Sequence, residues 1–173
     1  MNVLELFKPI TTFVFDVDGV LTDGSVLVMP NAVLARRMNI KDGYALQLAV
    51  KKNYRVLIIS GGESAEVLER LNRLGVVDVF MKISDKAAVL HEYMFQHQIK
   101  HENILYMGDD IPDLEVLKIA GLPCCPSDAV QEVKSIAQYI SPVKGGEGCA
   151  RDVIEKTMKL NNDWNEDVSV RSM

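Results

Sequence analysis

Several things are scarce in this chain, and each scarcity removes a class of function. No apolar run approaches the roughly 18 to 20 residues that a membrane span needs. The opening MNVLELFKPITTF has no charged start, long apolar stretch or small-residue cleavage site, so a cytoplasmic protein is expected. Basic residues are outnumbered 19 to 24, and the net charge of −5 comes without a basic run, which argues against nucleic acid as a partner. The three cysteines, Cys124, Cys125 and Cys149, have neither zinc spacing nor a disulfide framework and read as reduced structural residues. The three histidines, His91, His97 and His101, lie on or after a polar helix pattern without metal spacing and read as surface residues. What remains is an ordinary globular composition, 48% hydrophobic and 25% charged, in a chain long enough for one domain with a sizeable core.

Strand and helix signals alternate. Short apolar runs stand at Phe13-Val14-Phe15, Val56–Ile59, Val77–Phe80, Ile104–Met107 and, more weakly, Gly121–Cys125, with helical patterns between them. This alternation predicts an α/β fold with a mostly parallel sheet and right-handed crossovers. The strands are continuous apolar runs, so helices are expected on both faces. The excursion at 20–40 is different. Ser25–Met29 and Val33–Met38 flank Pro30-Asn31-Ala32 and predict a β-hairpin projecting as a flap over whatever follows the first strand. The domain is expected to span 1–160, with 161–173 a polar, frayed and disordered tail.

Chemistry-bearing residues fall at the strand ends. Asp16 and Asp18 follow the first strand, Ser60-Gly61-Gly62 the second, and Gly108-Asp109-Asp110-Ile111-Pro112-Asp113 the fourth, while Lys86 stands at a helix start. In a parallel sheet these ends share one edge, where ligands bind. Any one of them has a plain reading: Asp-x-Asp and Gly-Asp-Asp as helix caps, Ser-Gly-Gly as a turn, Lys86 as a solvated side chain. Four at successive strand ends are hard to explain as capping. Carboxylates without Cys or His suit a hard cation such as Mg²⁺. A Ser at a strand-to-helix junction and a Lys suit phosphate oxygens, and the ensemble points to phosphoryl transfer with a carboxylate nucleophile.

These motifs, Phe13–Val20, Ser60, Lys86 and Gly108–Asp113, resemble in order and spacing the four motifs of the haloacid dehalogenase superfamily, whose fold is Rossmann-like. VDGVLTDG, Asn39–Tyr44 and Gly145–Asp152 look more narrowly like the family of 3-deoxy-D-manno-octulosonate 8-phosphate phosphatases. Cys149 and Asp152 depart mildly from that family's late motif, and Gly62 stands where many relatives have Arg. The resemblance implies a phosphatase with Asp16 as nucleophile and Asp18 as general acid and base. It implies Mg²⁺ held by Asp16, the Asp18 carbonyl and Asp109, and phosphoryl oxygens bound by Ser60, Gly61 and Lys86. Asp110 and Asp113 would orient Lys86 or metal-bound water. The implied substrate is a sugar acid phosphate, with a nine-carbon homologue or a non-catalytic regulatory subunit as alternatives.

From Asp16 to Ser60 there are 44 positions and from Ser60 to Lys86 there are 26, too few for a separate cap domain. Capless relatives form homotetramers whose subunits close one another's sites, and the resemblance implies the same here. Arg70 and Arg73 share a helix face and would reach a neighbour's substrate; a solvated face with a Glu66–Arg70 pair reads the same residues almost equally well. Lys41, Asp42 and Arg151 complete the candidate substrate residues.

Overall fold

A computed structural model describes residues 2–171. Positions 1, 172 and 173, which the domain and tail expectations include, lie outside the described residues. Strands β1 (Thr12–Phe15), β4 (Arg55–Ile59), β5 (Asp78–Phe80), β6 (Ile104–Met107), β7 (Leu122–Cys125) and β8 (Tyr139–Ile140) form one sheet in the order β5-β4-β1-β6-β7-β8. Every pairing in it is parallel. The period-2 alternation of a strand sends neighbouring side chains to opposite faces. Phe13 and Phe15 therefore join a core with α1 (Ile40–Lys51), α2 (Ala65–Arg73) and α6 (Cys149–Leu160). Val14, Leu57 and Tyr106 join the other core, with α3 (Lys86–His97), α4 (Leu114–Leu117) and α5 (Gln131–Ile136). The expected α/β architecture, covered on both faces, is what the chain adopts.

This topology positions the site. The chain winds outward from β1 through β4 to β5, then crosses back to β6 and continues to β8. β1 is thus flanked by β4 and β6, and its carboxyl end lies at the switch point where doubly wound sheets bind ligands.

The flap is an antiparallel hairpin of β2 (Leu27–Val28) and β3 (Leu34–Ala35), shorter than expected from the sequence. A two-stranded ribbon with little to pack against keeps only its tightest pairs. Its base is pinned by an antiparallel bridge between Thr22 and Met38. The stretch 161–171, expected to fray, lies against α1 in this structure. Trp164 and Val170 pack on the core, Tyr54 donates to Asp163 at 2.7 Å, and Lys51 pairs with Asp167 at 2.6 Å. Two apolar side chains in a polar run supply burial that composition alone understates.

Candidate active site

Asp16 stands one residue beyond β1 and is almost enclosed, 8% exposed. One of its oxygens accepts from the Val17 amide at 2.7 Å, and the other meets Lys86 Nζ at 2.8 Å. A single wide turn over Val17–Leu21 follows, closed by the Thr22 amide donating to the Val17 carbonyl at 3.0 Å. Gly19 in that turn has φ +84°, and a Cβ there would lie 1.9 Å from Asp109 Oδ2. Only glycine satisfies both the left-handed backbone and the approach of Asp109 to the first strand's turn.

Lys86, the first residue of α3, is 5% exposed and lies 2.8 Å from Asp113 as well as from Asp16. Asp113 is fully buried. Its Oδ1 takes Lys86 and the Tyr106 hydroxyl at 2.7 Å; its Oδ2 takes the Asp109 and Asp110 amides at 3.0 and 3.4 Å. All its acceptor capacity is used within the protein, so it orients Lys86 and the β6 loop rather than presenting a free oxygen. Asp109 is the opposite: its Oδ1 is buried and has no hydrogen-bond partner among the described residues.

Electrostatics divide the same groups. Burial, then the charge of Asp113, pushes Asp16 up to about 6 against the pull of Lys86. Burial, with the charges of Asp113, Asp16 and Asp110, pushes Asp109 up to about 7. For Lys86, burial alone would lower the value, but Asp16 and Asp113 more than offset it and the ammonium sits above the ordinary lysine range. One ammonium does not neutralise this many carboxylates. Oxygens of Asp16, Asp109 and Asp113 come within 4.8 Å of one another. The orphaned Asp109 oxygen and the crowding of raised carboxylates fit a hard divalent cation, with Asp16 and Asp109 the open ligands and Asp113 already spent.

Asp18 faces the same cavity but is held from above. Arg36, on the strand-side end of the flap, donates from Nε to Oδ1 at 2.6 Å and from Nη2 to Oδ2 at 3.2 Å. The sequence reading did not find Arg36. A signal existed: adjacent residues of an extended segment point to opposite faces, so one of Arg36 and Arg37 had to turn toward the site. Arg37 turns away, to Asp23 and Glu147 at 3.0 Å each. Tyr106 was also missed, although a lone Tyr within an apolar strand needs a polar partner.

Asp16, Asp18, Ser60, Gly61, Lys86, Asp109 and Asp110 all line one cavity of about 280 Å³. Ser60 is buried, its hydroxyl accepting from the Gly62 amide at 3.2 Å. Asp110 caps the turn that carries Asp113, accepting from the Ile111 amide at 2.8 Å. The five expected substrate residues are not brought here. Lys41 is exposed at the start of α1. Asp42 is buried and turned to α6, where it accepts from the Arg151 amide at 2.7 Å. It supplies the cap that Gly148 has no side chain to give, which is why it is turned from solvent. The Arg151 guanidinium pairs with Glu155 at 2.9 Å and lies 5.4 and 5.6 Å from the Trp164 and Tyr44 rings. Arg73 pairs with Glu69, and Arg70 lines grooves beside α2.

A family model described as haloacid dehalogenase-like hydrolase matches residues 66–151, the half that carries Lys86 and Asp109. The 3-deoxy-D-manno-octulosonate 8-phosphate phosphatase KdsC of Salmonella typhi is 31% identical over 154 residues, spanning 89% of this chain and 82% of that protein. This chain belongs to the haloacid dehalogenase-like hydrolases. Solved structures extend the likeness to most of the chain. A probable yrbi family phosphatase from Pseudomonas syringae pv. phaseolica is 34% identical with a TM-score of 0.90, covering 93% of this chain and 92% of that one. The 3-deoxy-D-manno-octulosonate 8-phosphate phosphatase from Moraxella catarrhalis, solved with a magnesium ion, phosphate and KDO, is 28% identical with a TM-score of 0.89 over the same shares.

Proposed function

We propose that this family member is a Mg²⁺-dependent phosphatase that hydrolyses 3-deoxy-D-manno-octulosonate 8-phosphate to the sugar acid and phosphate. The observation that carries the reading is the buried Lys86, clamped at 2.8 Å by both Asp16 and Asp113 at the wall of the Asp16–Asp109 cavity. The likeness to phosphatases of that substrate supplies the sugar. Asp16 and Asp109, with the Asp18 carbonyl, would hold the metal, which when bound offsets charge on the phosphoryl oxygens.

The remaining roles belong to the chain itself. An Asp16 oxygen attacks phosphorus, forming an aspartyl-phosphate as the bond to the sugar oxygen breaks. Asp18 gives that oxygen a proton, then takes one from the water that hydrolyses the acyl phosphate. Ser60, the Gly61 amide and Lys86 bind the phosphoryl oxygens, and Lys86 stays charged because its two carboxylates keep it so. Phosphate release from a panel of sugar acid phosphates tests this. The eight-carbon substrate should be preferred, activity should vanish in excess chelator, and Mg²⁺ should restore it. Full activity with metal verified absent, or preference for a nine-carbon substrate, would overturn the corresponding part.

The same reading includes a homotetramer in the cytoplasm. The flap exposes Val26, Leu27, Val28, Met29, Val33 and Leu34 together, an apolar surface suited to another copy. The cysteines are buried and unpaired, as a reducing compartment leaves them. Arg70, Arg73 and Lys41 would then serve a neighbour's substrate. Sedimentation should give a tetramer that Val28→Asp dissociates, and fractionation should place the protein with soluble cytoplasmic enzymes; a monomeric wild type or a membrane-bound pool would sink these parts.

A further inference from the structure

We infer that Arg36 is a positioning residue for the proton-transfer carboxylate Asp18, delivered by the flap through a gap that Gly62 leaves open. The inference rests on the phosphatase reading. Arg36 belongs to a hairpin whose other side chains are mostly exposed, yet its own side chain is only 7% exposed. It leans inward across a crevice between the flap and the start of α2, bordered by Val17, Ser60, Gly62, Ser64 and Val67. Its Nη1 is spent on the Leu34 carbonyl at 3.0 Å, which fixes the guanidinium to the flap backbone. The other two nitrogens grip both oxygens of Asp18.

A two-point grip differs from a point charge. It sets the plane of the carboxylate as well as its distance, which an ammonium does not do. Among the described residues no other group hydrogen-bonds the Asp18 side chain, which is itself 37% exposed. Without Arg36 that carboxylate would be free to turn into solvent. Gly62 supplies the room. A Cβ at this position would stand 3.0 Å from Asp18 Oδ2 and 3.3 Å from Arg36 Nη2, the two atoms of the longer contact. Position 62 thus controls the pair without belonging to it.

The role predicts a particular pattern of loss. An alkoxide leaving from a sugar phosphate must be protonated as the bond to phosphorus breaks, whereas 4-nitrophenolate leaves without a proton. The quantity to read is kcat/KM, which ends at the transfer of phosphorus to Asp16 and excludes the later hydrolysis that needs Asp18 for both substrates. With Arg36→Gln, kcat/KM for the sugar acid phosphate should fall on the order of 10- to 100-fold, the size expected for misplacing a reacting group. For 4-nitrophenyl phosphate it should stay within about threefold, because the group that moves is not used in that step. Arg36→Lys should recover only part of the loss. Gly62→Ala, whose Cβ would press on the same two atoms, should give a smaller loss with the same substrate pattern and both charges intact, and the double variant should be no worse than the poorer single, since both act through one contact. Equal losses on the two substrates, additive losses, or full activity of Arg36→Gln on the sugar acid phosphate would each overturn the inference. Failure of the phosphatase reading would be seen separately, as a wild type that releases phosphate from neither substrate.

Discussion

At the floor of the site Lys86 has carboxylates at 2.8 Å on two sides, and Asp113 has four donors, with both residues nearly or fully enclosed. In the flap, the paired strands are two residues long, Leu27 and Val28 face solvent, and one ion pair reaches the chemistry. The floor is held by satisfied buried polar groups, where each removal leaves another group unpaired. The flap has no such closure of its own. One half of the site is held by buried polar groups that satisfy one another, while the other is a short ribbon tied to it by a single ion pair.

The sharpest way to break the comparison is at Asp16. Asp16→Asn is nearly isosteric and keeps an acceptor for the Val17 amide, so folding should persist while turnover falls below detection. Retained turnover would remove Asp16 from the nucleophile's role. A floor held by mutual satisfaction should also fail mechanically. Asp113→Ala takes one of the two carboxylates from Lys86 and strands the Tyr106 hydroxyl and two amides, and should lower stability by about 3 to 5 kcal/mol, as breaking a buried pair does. Denaturant midpoints check this, and a loss as small as that of a surface substitution would show that the floor is not the unit described.

A smaller effect sharpens the contrast at Asp42, a buried carboxylate outside the chemistry. Burial, against the pull of the Arg151 amide and charge, raises it from 3.8 to about 6. Its folded value lies above the unfolded one, so the stability it contributes is fully present below about pH 4 and is lost as pH rises through about 6. Asp42→Asn keeps the cap on α6 and removes the charge. The variant should show a flatter stability profile across that window and gain on the order of 1 to 3 kcal/mol at pH 7. An unchanged slope between pH 4 and 6 would show that Asp42 is not the group responsible.

The floor was legible in the sequence and the flap's contribution was not, for a physical reason. Asp16, Ser60 and Asp109 each follow a continuous apolar run, and a parallel sheet converts such runs into a shared edge without further information. Arg36 reaches Asp18 across a hairpin, and no period or spacing links positions 18 and 36. Tyr139–Ile140 was missed as a sixth strand because two residues before Ser141-Pro142 give no pattern to read. Family resemblance points Asp42 toward substrate, whereas its side chain accepts from the first turn of α6. The polar composition of the tail hides Trp164, which packs half-buried against the core.

That indole has a practical consequence. Trp164 is the chain's single tryptophan, with a guanidinium 5.4 Å from its ring and the Tyr44 ring 6.1 Å away. Intrinsic fluorescence excited at the red edge therefore reports one corner of the molecule, where the tail meets α1 and α6. It reports whether the tail is docked, because its ring neighbours are Tyr44 of α1 and Arg151 of α6. Melting curves followed by emission and by activity need not coincide, and their separation measures how independently that corner comes apart.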